Sequence, residues 1–124
     1  MNDCIFCNPP DARAFLGNEL AYAMWDGFPV TRLHALIVPR RHTQDFFSLT
    51  REELLACYQL LHDASAQLKT DDLTVEGFNI GANIGAVAGQ TIFHCHLHLI
   101  PRRRGDVENP RGGVRHIIPG KGAY

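Results

Sequence analysis

No stretch of the 124 residues stays apolar for the roughly 20 positions that a helix needs to cross a bilayer. Charge of one sign is also lacking: the formal net charge is −1, so no overall field draws the chain to nucleic acid or to an anionic membrane. Before residue 101 there is no repeat, low-complexity tract or linker. The opening Met-Asn-Asp-Cys-Ile-Phe-Cys lacks the basic and apolar regions of a secretory leader, so we expect a cytoplasmic protein with reduced thiols and no membrane or nucleic-acid partner. The four cysteines then read as thiols or metal ligands rather than disulfides, and Cys4-x-x-Cys7 reads as a metal or redox knuckle.

A hydrophobic content of 45% and a charged content of 20% are ordinary for one globular domain of this length. We expect a single domain over 1–124, with a core at about 4–104 and an extended tail, rich in Gly, Pro and Arg, over 105–124. Strand-like stretches fall at 19–26, at 33–38 before Pro39, at 77–82 and at 91–100 before Pro101. Thr50-Arg51-Glu52-Glu53 is a capping box. After it Leu54, Cys57, Tyr58, Leu61, Ala64 and Leu68 keep a helical stripe to about residue 69. The order β-β-α-β-β with hairpin-length gaps predicts an α+β fold: an antiparallel sheet of about five strands with one main helix on one face.

Histidine is what the chain has in plenty, with seven residues, three of them in His94-Cys95-His96-Leu97-His98. On a strand His94, His96 and His98 share one face, and Cys95, Leu97 and Leu99 point into a core. Neighbouring members of the row lie about 6.5 Å apart at Cα, so two can share a metal ion but all three cannot easily do so. At least one imidazole is therefore free to act as base, nucleophile or anion-binding group. The loop leading into the row, Gly85 to Thr91, has glycines that allow close backbone approach to a ligand, and Gln90 and Thr91 offer donors suited to phosphate oxygens.

The run His94-Cys95-His96-Leu97-His98-Leu99-Ile100 resembles the signature of the histidine triad superfamily of nucleotide hydrolases and transferases, in which histidines alternate with apolar residues. The resemblance extends to Gly89-Gln90-Thr91, to Pro29-Val30-Thr31 and to the stretch from His34 to His42, and covers most of residues 4–104. It implies that His96 attacks the α-phosphorus of a purine nucleotide derivative, a diadenosine polyphosphate or a nucleoside phosphoramidate, and that water then hydrolyses the nucleotidyl-histidine. Neutral imidazole is a good nucleophile when its other nitrogen is held as N–H. His98 would stabilise charge on the phosphate, Gln90, Thr91 and Asn83 would contact the phosphate or the leaving group, and His34 would stand behind the triad or take a direct catalytic part. Asp26 would hold the ribose hydroxyls, although an Asp before a Gly is also common turn chemistry. Ile5, Phe6, Met24 and Leu36 match positions that line the purine slot.

The same resemblance implies a structural zinc ion on Cys4, Cys7, His42 and His94, and a homodimer whose sheets join and whose tails approach the partner's site. Arg32-Leu33 replaces the family's usual Pro-Gly, which leaves that turn open and Arg32 either on a phosphate or in solvent. Arg102, Arg103, Arg104, Arg111 and Arg115 are candidates for the distal phosphates of a polyphosphate. Two other readings compete: a nucleotide-binding sensor or scaffold with little turnover, and a zinc-dependent hydrolase that uses the triad as ligands.

Overall fold

A computed structural model describes residues 3–10 and 12–124; Met1, Asn2 and Asp11 lie outside the described residues. Five strands form one antiparallel sheet: β1 (Ala14–Gly17), β2 (Ala21–Trp25), β3 (Ala35–Pro39), β4 (Val75–Gly81) and β5 (Leu97–Arg103), in the order β1-β2-β3-β5-β4. One long helix, α1 (Arg51–Asp71), covers one face. This is the α+β architecture expected from the sequence. No helix among the described residues is long and apolar enough to cross a membrane.

The sheet separates two apolar clusters by the two-residue period of its strands. Ala21, Ala23, Ala35, Ile37, Leu97 and Leu99 face α1 and pack on Cys57, Leu60, Ala64 and Leu68. The small side chains of the three alanines let the helix lie close. On the opposite face Tyr22, Met24, Leu36 and Val38 pack with Phe6. That second face carries the histidines, because Leu36 is paired with His98.

Helix α1 starts where its chemistry says it should. Thr50 accepts from the Glu53 amide and Glu53 accepts from the Thr50 amide, a reciprocal cap that stabilises by roughly 1 kcal/mol. Arg41 adds a two-pronged hydrogen bond to the buried Glu53 carboxylate. The buried line runs through Cys57, Leu60, Ala64 and Leu68, so the expected stripe is rotated: Leu54 and Tyr58 are exposed beside it, and Leu61 is only partly buried. These three line an apolar groove of about 390 Å³ between α1 and β4 instead.

Four other expectations change. β1, not marked in the sequence, is held by Phe15 stacked on Trp25. Pro101 does not end its strand. Its carbonyl accepts from the Thr31 hydroxyl, so the side without an N–H faces away from β4 and that ladder continues to Arg103. The histidine strand starts at Leu97, not 91, because the Cys95 amide is bonded to the Thr43 carbonyl (2.7 Å) rather than to a neighbouring strand. The tail is not extended: it folds back through a turn of 3-10 helix (Gly113–Ile117) and roofs a cavity of about 540 Å³ against Thr31, Asn79 and Ile100.

The Arg41 guanidinium, with help from the Thr50 backbone, holds the Glu53 carboxyl down at about 2. A depressed carboxyl contributes stability that is present above its ordinary value of 4.5 and is lost as pH falls toward 2. The melting temperature of wild type is expected to fall over that window, and Glu53→Gln, less stable at neutral pH, should show a flatter acid limb in the same thermal scans.

Candidate functional site

Each histidine of the row has a different set of partners. His94 is fully buried, and its Nε2 lies 2.7 Å from the Pro39 carbonyl. A carbonyl only accepts, so Nε2 carries the proton and Nδ1 presents a lone pair. That lone pair faces Cys4 Sγ at 3.4 Å, Cys7 Sγ at 3.5 Å and His42 Nδ1 at 3.3 Å, and Cys7 Sγ lies 3.1 Å from His42 Nδ1. Two cysteine and two histidine ligands at ordinary zinc bond lengths in a tetrahedron would be spaced by about 3.3–3.8 Å. Converging lone pairs repel unless a cation lies among them, and the carbonyl on His94 Nε2 is the outer partner that metal-bound imidazoles commonly have. Cys4, Cys7, His42 and His94 therefore fit a tetrahedral divalent ion such as zinc.

His96 is half-buried, and its Nδ1 donates to the carbonyl of His94 at 2.9 Å. Its Nε2 is thereby left as the lone-pair nitrogen. His98 lies beside it, with ring centroids 5.4 Å apart.

Behind His98, the Val30 amide donates to His34 Nδ1 (3.0 Å), so neutral His34 holds its proton on Nε2. That proton points at His98 Nδ1, 2.9 Å away, and His98 is left with an Nε2–H. The relay needs neutral rings, and burial lowers the pKa of both His34 and His98, with neighbouring histidines adding to the effect at His98. Asp26, 3.4 Å from His34 and 3.8 Å from His98, opposes this in both. Asp26, His34 and His98 also lie close enough to suggest a second metal cluster. The Val30 hydrogen bond rules against it, since His34 Nε2 has no free lone pair.

Asp26 does two things at once: one carboxylate oxygen accepts from the Phe28 amide in a tight turn, and the other faces the histidine pair. Gln90 corrects an expectation. It is buried, its carbonyl accepts from the Gly85 amide and its NH₂ donates to the carbonyls of Gln44 and Ile92. All its groups hold the loop, so it braces the approach to the triad rather than reaching for phosphate. Gly85 and Gly89 take positive φ (91° and 97°) in that loop, as their place in the sequence suggested. Thr91 and Asn83 are exposed, Asn83 alongside Gly89. Phe6, Met24 and Leu36 are buried against one another and Ile5 is partly exposed.

Three of the five tail-side arginines are neutralised: Arg102 by Asp106, Arg103 by Asp72 and Arg104 by Glu76. Arg111 and Arg115 instead stack on Tyr124. Arg32 reaches Asp72 at the end of α1 and not a phosphate position. Leu33 takes the left-handed region (φ 71°) where the family would place glycine, at a cost of about 1–2 kcal/mol. Sequence reasoning missed the Phe6 ring beside His96, the Pro39 carbonyl and the Val30 amide. The last two are backbone groups that no side-chain motif records.

Residues 9–105 match the HIT domain family. The chain belongs to that family. It is 39% identical over 105 residues to an uncharacterized HIT-like protein of Mycoplasma genitalium, covering 82% of this chain and 74% of the relative. A HIT-like protein of Methanocaldococcus jannaschii is 35% identical, with 92% and 91% covered. Among solved structures, a HIT family protein from Bacillus anthracis (38% identical, 82% and 74% covered) superposes with a TM-score of 0.74. A Zn-bound histidine triad family protein from Mycobacterium smegmatis (33% identical, 84% and 78% covered) does so with the same score.

Metal content provides a direct check of the cluster. Protein purified without chelator is expected to carry about one zinc per chain by elemental analysis, and Cys4→Ser or His42→Ala should lower that ratio well below one.

Proposed function

We propose that this HIT domain protein hydrolyses purine nucleotide derivatives at the α-phosphate through a covalent nucleotidyl-histidine on His96, with dinucleoside polyphosphates and nucleoside phosphoramidates as substrate classes. The observation that carries the reading is the hydrogen bond from His96 Nδ1 to the His94 carbonyl, which leaves the Nε2 lone pair on the open side of the ring.

In the first step that lone pair forms an N–P bond as the bond from phosphorus to the leaving group breaks. The leaving group departs with the bonding pair and takes a proton from solvent. In the second step a water oxygen attacks phosphorus, the N–P bond returns its pair to Nε2, and the water gives up a proton. The Nε2–H of His98 donates to a phosphate oxygen as negative charge builds, and Asp26 meets the ribose hydroxyls. Thr91 and Asn83 stand at the phosphate end. Zinc on Cys4, Cys7, His42 and His94 has a structural part: bound there it supplies the positive charge that lets two thiolates and two imidazoles share one point.

Support for hydrolysis over a non-turning sensor lies in the two histidine tautomers, one set by the His94 carbonyl and the other by the Val30 amide acting through His34. A metal-activated water is disfavoured because His94 turns to the cysteine cluster while His98 turns to His34. His96→Ala is expected to lose at least about 10³-fold in kcat on adenosine phosphoramidate, and to lose the nucleotidyl adduct that intact-protein mass spectrometry should detect on wild type after rapid quenching. Undiminished turnover by the variant would sink the assignment.

The same proposal includes a second copy of the chain. β4 is an outer strand of the sheet, and the groove beside it is lined by Phe46, Leu54, Tyr58, Leu61, Ile80 and Ile84. An exposed edge next to an apolar groove suits pairing with its own equivalent. Sedimentation should give a dimer for wild type and a smaller species for Leu54→Glu/Tyr58→Glu.

A further inference from the structure

His96 is held by one hydrogen bond, and one bond is a pivot rather than a clamp. The ring can swing about the contact from Nδ1 to the His94 carbonyl, carrying Nε2 away from any phosphorus. His98 borders the ring at 5.4 Å between centroids, and the nearer ring standing against that swing is Phe6. It is nearly fully buried, its ring centroid lies 4.7 Å from that of His96 at an interplanar angle of 49°, and it meets the His94 ring edge-on at 5.9 Å.

Phe6 is itself fixed from both sides. It lies between Cys4 and Cys7, whose sulfurs converge on His94 and His42, and its carbonyl accepts from the Tyr22 hydroxyl. The Cys7 and Asn8 amides both close back on the Cys4 carbonyl, making the knuckle one tight turn. A cation shared by the two sulfurs and two imidazoles would tie that turn to His42 and His94, beyond the hold of the Tyr22 hydroxyl.

We propose that Phe6 is a positioning residue for His96, and that a zinc-type ion on Cys4, Cys7, His42 and His94 keeps the nucleophile aligned by holding the knuckle, and with it the Phe6 ring, in place. His94 makes the second connection, since the residue that ligates by its ring also supplies the carbonyl that bonds His96. The metal centre thereby serves the reaction without touching substrate. The kinetic part of this inference rests on His96 being the nucleophile; the positional part does not.

The test follows the His96 ring directly. In histidine-labelled protein, NMR should show the His96 ring protons shifted by the neighbouring Phe6 ring. In wild type treated with chelator that shift should vanish, and in Phe6→Ala with its metal retained the Nδ1 proton of His96 should exchange faster with solvent as its bond to the His94 carbonyl loosens. On adenosine phosphoramidate, Phe6→Ala is expected to lose about 10- to 100-fold in kcat with KM nearly unchanged, and Phe6→Tyr should recover most of it. Far-UV dichroism and metal content accompany each sample, and if either Phe6→Ala or the chelated protein unfolds, the other decides. His96 ring protons that stay put on chelation, or an Nδ1 proton that exchanges no faster in Phe6→Ala, overturn the proposal, as does a Phe6→Ala defect confined to KM, which would make Phe6 a wall of the substrate pocket. If wild type turns over no nucleotide substrate, the hydrolase reading fails while the resonances still decide the positioning.

Discussion

Three polar groups of His94 each hold a different part of the site. Its Nε2–H is tied to the Pro39 carbonyl, its Nδ1 faces the two cysteines and His42, and its backbone carbonyl takes the proton of His96 Nδ1. A neutral imidazole carries one proton, so choosing its place on Nε2 frees Nδ1 as a ligand and needs no charge in a fully buried ring. Burial lowers the His94 pKa in the same direction. Remove the Pro39 contact and the tautomer is no longer set; the metal ligand, the knuckle and the support of His96 would all loosen together.

A second chain of the same kind runs from the Val30 amide through His34 to His98. Both start at a backbone group, the first directly at the His94 carbonyl and the second through the buried His34 ring, and both end with a defined nitrogen on the open face of the sheet. One leaves a lone pair on His96 and the other leaves an N–H on His98. The two rings are thus distinguished by their partners and not by their place in the row. Burial supports the second chain, because a low-dielectric setting lowers the pKa of His34 and His98 and favours their uncharged rings.

The sheet makes the arrangement affordable in packing terms. Alanines and branched side chains face α1 and form one core, so the other face is left to carry polar chemistry over a smaller cluster. Arg103 ties β5 to Asp72 at the end of the helix and also donates to the Arg32 carbonyl. Arg32 meets the same aspartate, next to Leu33 in its left-handed conformation. This bracing lets the turn before His34 adopt a shape that glycine would take more readily.

Much of this was legible in the residues themselves. The alternation of His94 to Ile100 put histidines and apolar residues on opposite faces, the capping box located the start of α1, and the Cys4-x-x-Cys7 knuckle read as metal or redox chemistry through residue type alone. Those are local properties: strand period, helix caps and ligand chemistry depend on near neighbours in the chain. Other features were not legible. The β5 strand begins three residues after His94 because a carbonyl from Thr43 captures the Cys95 amide, Gln90 is absorbed into bracing its own loop, and the buried line of α1 is rotated away from Leu54 and Tyr58 toward Leu60. The sequence by itself determined which side chains are chemically fit to be ligand, nucleophile and donor. Tertiary structure decided how each ring is held, because the protons are placed by the Pro39 and His94 carbonyls and by the Val30 amide acting through His34, and a backbone group looks the same at every position until the fold brings it to a ring nitrogen.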